Sequence, residues 1–329
     1  MLGHQMAYEN RLDISKDELK TWIADCYGLD AVIGNIRPGY MSTTVCLRAH
    51  NDDYLLKVYG DENLDQLQFG MAVNDRVRRA GLPVAECVQT RQGDCLTDLG
   101  GYSAALWLYL SGNMFTLSNH TQLASAGEML NRFHRAAEEI EVDGEPEPFL
   151  DKISRDLQSV WDRVTDVEGQ ALIADWRKRF DEIWNSLNTR WPETIIHNDY
   201  RAQNLLFSGD QISGILDLDS TCLGPRIFDV VYALSFFQAV VAEEPLSETE
   251  MVVFLRGYYR TKDLTPAELD CLGAWLSLAL LKGMTLWMRI GYVEGANARA
   301  RAWLAAYQDF WGRADWVGNQ LSETLIKQG

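Results

Sequence analysis

No C-x-x-C pair occurs among the six cysteines (Cys26, Cys46, Cys87, Cys95, Cys222 and Cys271), and the five histidines include no H-x-x-x-H. Both absences argue against a structural zinc site. Isolated thiols fit a reducing cytosol, where cysteine serves as a small core residue. Met1 to Asn10 has neither a basic segment nor an apolar core, so no secretory signal is expected. The most apolar stretch, Cys271 to Leu281, ends after 11 residues at Lys282, too short to cross a bilayer. A cytoplasmic protein without membrane contact is expected. No basic stripe is present either. The densest basic clusters are Arg76, Arg78 and Arg79, then Arg299-Ala300-Arg301, against a net charge of −17. Such a chain repels a phosphate backbone, which excludes a nucleic-acid partner. The excess of acid serves solubility or attracts a cationic substrate.

What is present is an ordinary globular composition, 47% hydrophobic in 329 residues, enough for about two domains. Ser15-Lys16-Asp17-Glu18 reads as a capping box opening an amphipathic helix that Gly28 ends. Strand-like runs over Thr43–Ala49 and Tyr54–Tyr59 flank turn residues His50 to Asp53, a hairpin signal. A helix covers Leu64 to Arg79, stopped at Gly81-Leu82-Pro83, and strand-like runs follow at Val84–Gln89 and Tyr102–Leu110. Ser111-Gly112-Asn113 breaks the pattern, giving an N-terminal lobe over 1–110 and a helical C-terminal lobe over 111–329. Within the second lobe, helical patterns occupy Thr121–Ala137, Asp151–Asn188 and the chain from Phe228 onward. A short β island lies at Ile195–Leu216, and Thr265-Pro266-Ala267-Glu268 forms a second capping box.

The chemistry concentrates in Ile195-Ile196-His197-Asn198-Asp199-Tyr200-Arg201-Ala202-Gln203-Asn204-Leu205-Leu206-Phe207, a polar knot between apolar runs. Hydrophobic strands anchoring a short polar loop are how a rigid scaffold presents reactive side chains. Ser208-Gly209-Asp210-Gln211 reads as a hairpin turn, which would fold the strand before Asp217 back beside Asn204. Two Asp and one Asn, hard oxygen ligands without thiolate, suit Mg²⁺ bound together with substrate phosphates. Singly, each residue would be a turn cap. Jointly, H-x-D-x-x-x-x-N followed by an apolar strand ending in Asp fits phosphoryl transfer.

This segment resembles the catalytic core of the aminoglycoside phosphotransferase superfamily, which also holds choline kinases and homoserine-kinase-like enzymes and is similar to the protein kinases. The resemblance implies a two-lobed α+β protein-kinase-like fold. Its small lobe would be an antiparallel sheet with one main helix, and its larger lobe mostly helical. By that likeness Asp199 is the catalytic base, Asn204 and Asp217 hold Mg²⁺, His197 braces the loop, and Asp229 supports it from behind. Asp219 either contacts metal or caps its strand. Tyr54-Leu55-Leu56-Lys57-Val58-Tyr59 resembles the strand whose lysine grips the ATP phosphates. Ile33 to Thr43 would be the loop over those phosphates, with Gly39 and Ser42 nearest, and Trp107, Leu108 and Tyr109 lie in the stretch whose backbone meets adenine. His134 reads as a packing residue.

One departure stands out. The family's lysine pairs with a Glu in the following helix, whereas Leu64–Arg79 contains none and offers Asp65, Gln66 or, at its start, Glu62. The expected activity is ATP- and Mg²⁺-dependent transfer of phosphoryl to a small-molecule hydroxyl, the acceptor being an aminoglycoside, amino alcohol or homoserine-like compound of cationic character. Glu243, Glu244 and Glu248 are candidate acidic lining, while Arg201 and Arg226 either bind a substrate carboxylate or brace the loop. The 11 Trp and 13 Tyr serve stacking or, first of all, core. A monomer or homodimer is expected. Two alternatives stay open: a non-catalytic nucleotide-binding module, and a metal-dependent phosphoester hydrolase. The hydrolase would place Lys57 more than ~10 Å from Asp217, because a kinase lysine must reach phosphates that the metal bridges.

Overall fold

Between Val32 and Leu108 the chain builds an antiparallel sheet, in a computed structural model that describes residues 14–39, 42–60, 64–138, 140, 148–187, 191–242, 244–261, 264–294 and 298–326. Residues 1–111 with 214–220 form one unit, and 112–213 with 221–329 form another.

The first unit's strands are β1 (Val32–Pro38), β2 (Ser42–Ala49), β3 (Asp52–Tyr59), β4 (Cys87–Val88), β5 (Thr97–Leu99) and β6 (Tyr102–Leu108). Their order is β1-β2-β3-β6-β4, with β5 on β6. The β2–β3 reversal is made by His50 and Asn51, both left-handed at φ 52° and 77°. Two such residues give the turn whose twist matches a hairpin, which is why Asp52 and Asp53 belong to the strand and not to the turn. Residues 33–38, expected in a phosphate-covering loop, instead form most of β1, which pairs with β2 across a register shift between Ile33 and Ile36. The run Val84–Gln89 shrinks to the two residues of β4, plus a single bridge from Val84 to Ile215.

Helix α1 (Lys16–Tyr27) carries the expected capping box and left-handed Gly28 cap, and sinks Leu19 and Ile23 against Val45, Leu47, Leu56 and Leu106. Each such buried side chain contributes about 1.5–3 kcal/mol. Helix α2 (Leu64–Arg79) has the bounds read from sequence and buries Leu67, Val73 and Val77. Its Gly70 lies so close to Leu218 that a Cβ there would meet the Leu218 carbonyl oxygen at 3.0 Å.

The second unit is mostly helical: α3 (His120–Ala137), α4 (Phe149–Trp161) and α5 (Val167–Leu187) precede a set of short strands. These are β7 (Glu193–Ile196), β8 (Leu205–Ser208), β9 (Gln211–Ile215), whose end runs into the first unit, and β10 (Cys222–Pro225). β7 pairs with β10 and β8 with β9, the latter across Gly209 at φ 61°. Helices α6 (Arg226–Phe236), α7 (Ala239–Ala242), α8 (Glu248–Tyr258), α9 (Pro266–Asp270), α10 (Leu272–Met288), α11 (Ala298–Gly312) and α12 (Ala314–Ile326) follow. α10 packs on α4, α5, α6, α11 and α12 and is buried nearly all round, which explains the apolar stretch at its start. Trp275 on α10 itself and Trp161, Trp176 and Trp311 on its neighbours are buried, so these indoles are core, with Trp161 Nε1 donating to Thr285 Oγ1 and Trp311 Nε1 to the Ser277 carbonyl. Among the described residues no helix is long and apolar enough to cross a membrane, and all six cysteines are free thiols.

Candidate active site

In the helical unit the loop between β7 and β8 is fixed from behind by one buried carboxylate. Asp229, in the first turn of α6, accepts from the backbone amide of His197 at 2.6 Å (Oδ2) and of Asn198 at 2.7 Å (Oδ1). His134 Nε2 of α3 lies 3.1 Å from the same Oδ2, and its Nδ1 lies 2.8 Å from the Tyr258 hydroxyl. A carboxylate only accepts, so Nε2 carries a proton directed at it. Burial opposes charge on Asp229, but the bond and charge of His134 and the His197 contacts outweigh it and hold the carboxyl below its ordinary range.

This brace lets Asn198 sit at φ 64°, a left-handed conformation that a non-glycine residue keeps only when its surroundings over-determine it. The next residue, Asp199, is held by three side chains. Arg201 Nε lies 2.8 Å from Oδ1 and its Nη2 2.9 Å from Oδ2; the Tyr232 hydroxyl donates to Oδ1 at 3.1 Å; Asn204 Nδ2 donates to Oδ2 at 2.9 Å. Asn204 Nδ2 also donates to the Asp199 carbonyl at 2.9 Å, which turns Asn204 Oδ1 away as an oxygen donor. Burial and the Asp199 charge both push the Tyr232 phenol upward, so it stays a proton donor.

In the sheet unit, Lys57 of β3 places Nζ 2.6 Å from Asp217 Oδ1 and also bonds Asp219 Oδ2. Burial works against the ammonium, yet Asp219 and Asp217 together raise its pKa above the ordinary lysine value, so it is charged. Burial lifts Asp219 in turn. Asp217 stands at φ 64° at the end of β9's strand run. Among the described residues α2 supplies no acid to Lys57: Gln66 of α2 instead donates to the Asp219 carbonyl at 2.9 Å, while Glu62 lies outside the described residues. The pair of aspartates thus stands where a helix Glu was expected. Two carboxylates converging on one cation are a donor set that also suits a hard divalent ion.

The remaining sequence candidates are placed as follows. Gly39 follows directly on β1, and its amide donates to the Ser42 carbonyl at 2.8 Å; a Cβ at Gly39 would come 2.7 Å from that oxygen. Trp107 and Leu108 are the last residues of β6, and Tyr109 is half-exposed beyond it. The Leu108 amide donates to Glu86 O and the Tyr109 amide to Asp53 O, so both N–H groups are already engaged. Arg226 is paired with buried Glu268 through two 3.0 Å contacts. Of the acidic candidates, Glu248 faces Arg313 at 3.6 Å, Glu244 is exposed, and Glu243 lies outside the described residues. Sequence reasoning missed Tyr232, although it stands three residues after Asp229 on the same helix face, and it took His134 for packing alone.

A strand lysine bound to two aspartates, and an Asp–Asn loop braced by a buried acid, are the parts of a phosphoryl-transfer enzyme of the two-lobed α+β, protein-kinase-like class. The phosphotransferase enzyme family (APH) matches residues 33–267, and the chain belongs to that family and is a small-molecule phosphotransferase. It is 23% identical over 291 residues to a homoserine kinase of Methylobacillus flagellatus, covering 84% of each chain. It is 25% identical over 282 residues to a homoserine kinase of Neisseria meningitidis, covering 81% of this chain and 89% of that one. Among solved structures, a microcompartment-associated aminopropanol kinase superposes with a TM-score of 0.73 at 15% identity, over 92% of this chain and 98% of that one. The amicoumacin kinase hAmiN, in complex with AMP-PNP, Ca²⁺ and Ami, gives 0.72 at 16% identity, over 92% and 93%.

Proposed function

We propose that this phosphotransferase moves the γ-phosphoryl group of ATP to the hydroxyl of a small amino-bearing alcohol. The relatives' names, homoserine kinase and aminopropanol kinase, support that acceptor class. The observation that carries the reading is the held Asp199, with Asn204 bonded to it five positions on and Arg201 and Tyr232 fixing its carboxylate. Asp199 is the residue that orients the acceptor hydroxyl and accepts its proton. Because phosphoryl transfer passes through a loose transition state, positioning matters more than strong basicity, and a carboxylate pinned by an arginine suffices.

Lys57 is the residue that holds the nucleotide phosphates, with Gly39 and Ser42 beside them and the Trp107–Tyr109 stretch at the base. With the Leu108 and Tyr109 amides engaged, the adenine contact in that stretch falls to carbonyl oxygens. Asn204 and Asp217 are assigned to Mg²⁺, with Asp219 as a further ligand. The ion supplies charge neutralisation on the phosphates when bound. In this reading residues 1–110 serve the nucleotide, and 111–329 carry the catalytic loop and acceptor site. Isolated thiols support work in the cytoplasm. The hydrolase alternative loses its support, since Lys57 sits 2.6 Å from Asp217 Oδ1 rather than remote from it.

The test is ADP release and phosphorus NMR of products with ATP-Mg²⁺ against homoserine, ethanolamine, aminopropanol, choline, sugars and aminoglycosides. Acceptor-dependent phosphoester formation is expected. ATP binding with no transfer to any hydroxyl would favour the non-catalytic module. A thermal-shift screen sorts the same compounds first, because a ligand at ~100 times its Kd stabilises by ~2.7 kcal/mol.

A further inference from the structure

Halfway along α10, where nearly every neighbour on the helix is a buried apolar side chain, stands the half-buried Lys282. Along the sequence it merely interrupts an apolar run. A charge in that setting is costly unless something answers it. Among the described residues Lys282 makes no ion pair; its Nζ donates to Asn198 Oδ1 instead. Two rings flank the same nitrogen, Phe228 with its centroid 5.0 Å away and Tyr232 at 5.2 Å. Ring faces at that range attract an ammonium. Burial lowers the lysine's pKa, against the pull of Cys222, Asp199 and Asp229.

The residue that Lys282 grips is one that needs holding. Asn198 keeps φ at 64°, which an L side chain does only when its surroundings over-determine it. Asp229 of α6 takes its backbone amide, and Lys282 of α10 takes its side chain. The nitrogen and Cβ are two of the three heavy atoms bonded to Cα. Holding both sets the direction of the third, the carbonyl carbon that leads into Asp199. α6 supplies only the first of these holds. Tyr232 tightens the arrangement, since it offers its ring to Lys282 and its hydroxyl to Asp199 Oδ1.

We infer that Lys282 is a positioning residue for phosphoryl transfer: through the Asn198 side chain it fixes the backbone entering Asp199, and so the aim of that carboxylate at the acceptor hydroxyl. It acts through Asn198 and needs no contact with nucleotide or acceptor. Transfer that depends on placement is sensitive to such a hold, because a small misalignment of the reacting groups costs a large factor in rate. The inference rests on the proposed kinase reading, in which Asp199 takes the acceptor's proton.

The test is a double-mutant cycle on kcat, each preparation being normalised to the sites that bind ATP by calorimetry. Lys282→Met keeps the stem and removes the donor. It is expected to lower kcat about tenfold, the scale of one hydrogen bond to a charged group, and to leave the KM for ATP within about twofold. Lys282→Arg, which keeps a donor, is expected to recover most of that loss. Asn198→Ala drops the same bond from its other end while keeping the left-handed strain, and is expected to fall by the same factor and below Asn198→Gly. Because Asn198 is half-buried, this pair reads the bond even where Lys282→Met folds poorly. Glycine adopts the left-handed region without strain and leaves Lys282 nothing to hold. In the Asn198→Gly enzyme, whatever its own kcat, adding Lys282→Met is therefore expected to cost less than about twofold. A loss of equal size in both backgrounds shows Lys282 acting through packing or through its charge on Asp199, and overturns the proposal. Full kcat in Lys282→Met, or Asn198→Ala matching Asn198→Gly, overturns it too, and all three results leave the kinase reading standing. ATP binding by the wild type with no transfer to any hydroxyl of the panel overturns both.

Discussion

The backbone amide of Asn198 donates to Asp229 Oδ1 at 2.7 Å while Asn198 itself holds φ at 64°. A buried side chain therefore helps keep the residue before Asp199 in a conformation it would otherwise leave. Asp229→Asn offers only one accepting oxygen for two amides and a histidine, and is expected to cost about 3–5 kcal/mol, the scale of breaking a buried charged network. Its pH dependence carries a definite sign. The folded carboxyl titrates below its ordinary value, so its stabilising effect is complete above the unfolded value of ~3.9 and is lost as pH falls through the lower folded value. Urea melts between pH 3 and 7 should show wild-type stability falling on the acid side and a flatter limb in the variant. Equal acid limbs would contradict the role given to Asp229.

Tyr232→Phe removes one hydroxyl from Asp199 Oδ1 and keeps the buried ring. The net worth of such a bond, about 0.5–1.5 kcal/mol, corresponds to a fall in kcat of roughly two- to tenfold. The nucleotide KM and the melting temperature should move little, because the ring packing with Phe228 and Phe236 survives. A variant with full kcat would show that Asp199 needs no second donor.

Lys57→Met takes the ammonium from between Asp217 and Asp219. Two effects of opposite sign are expected. The KM for ATP should rise, since the phosphates lose a cation. Divalent binding by the nucleotide-free protein should tighten, since two carboxylates lose the cation that competes for them. Calorimetry or electron paramagnetic resonance with Mn²⁺ reads the second effect without any turnover. Unchanged Mn²⁺ affinity would argue that Asp217 and Asp219 do not serve a metal.

Local signals in the sequence marked what is local in the structure. Leu64–Arg79 was legible because its apolar spacing and the Gly81-Leu82-Pro83 stop agree, and both capping boxes form as read. The Asp199–Asn204 contact was legible because five residues of one loop encode it. β1 was not, because Val32–Pro38 alternates nothing: most of its side chains are exposed at a sheet edge, and pairing with β2 alone makes it a strand. The partners of Lys57 lie 160 and 162 positions away, and Lys282 meets Asn198 across 84, separations that carry no periodic signature. A resemblance supplied Asp229, but not the His134–Tyr258 pair behind it, which depends on how α3 meets α8.

That meeting of α3 and α8 has its own test. Gly127 and Gly257 face each other's helices so closely that a Cβ on Gly127 would fall 2.1 Å from Phe254 O, and one on Gly257 2.1 Å from Ala124 O. Both obstacles are backbone, so no side chain can swing aside. Alanine would favour each helix by up to ~1 kcal/mol on propensity alone, yet the helices must part to admit it. Overpacking typically costs about 1–3 kcal/mol, so Gly257→Ala is expected to lower the melting temperature despite the better helix former. Gly312→Ala, at the end of α11 with nothing within 4 Å of its Cβ, is the matched control and should be neutral or stabilising. Because α3 carries His134 and α8 carries Tyr258, parting them also loosens the bond from His134 to Asp229. Gly257→Ala should therefore lose kcat as well as stability, and a variant that melts lower with kcat intact would separate the packing of these helices from the brace on Asp199.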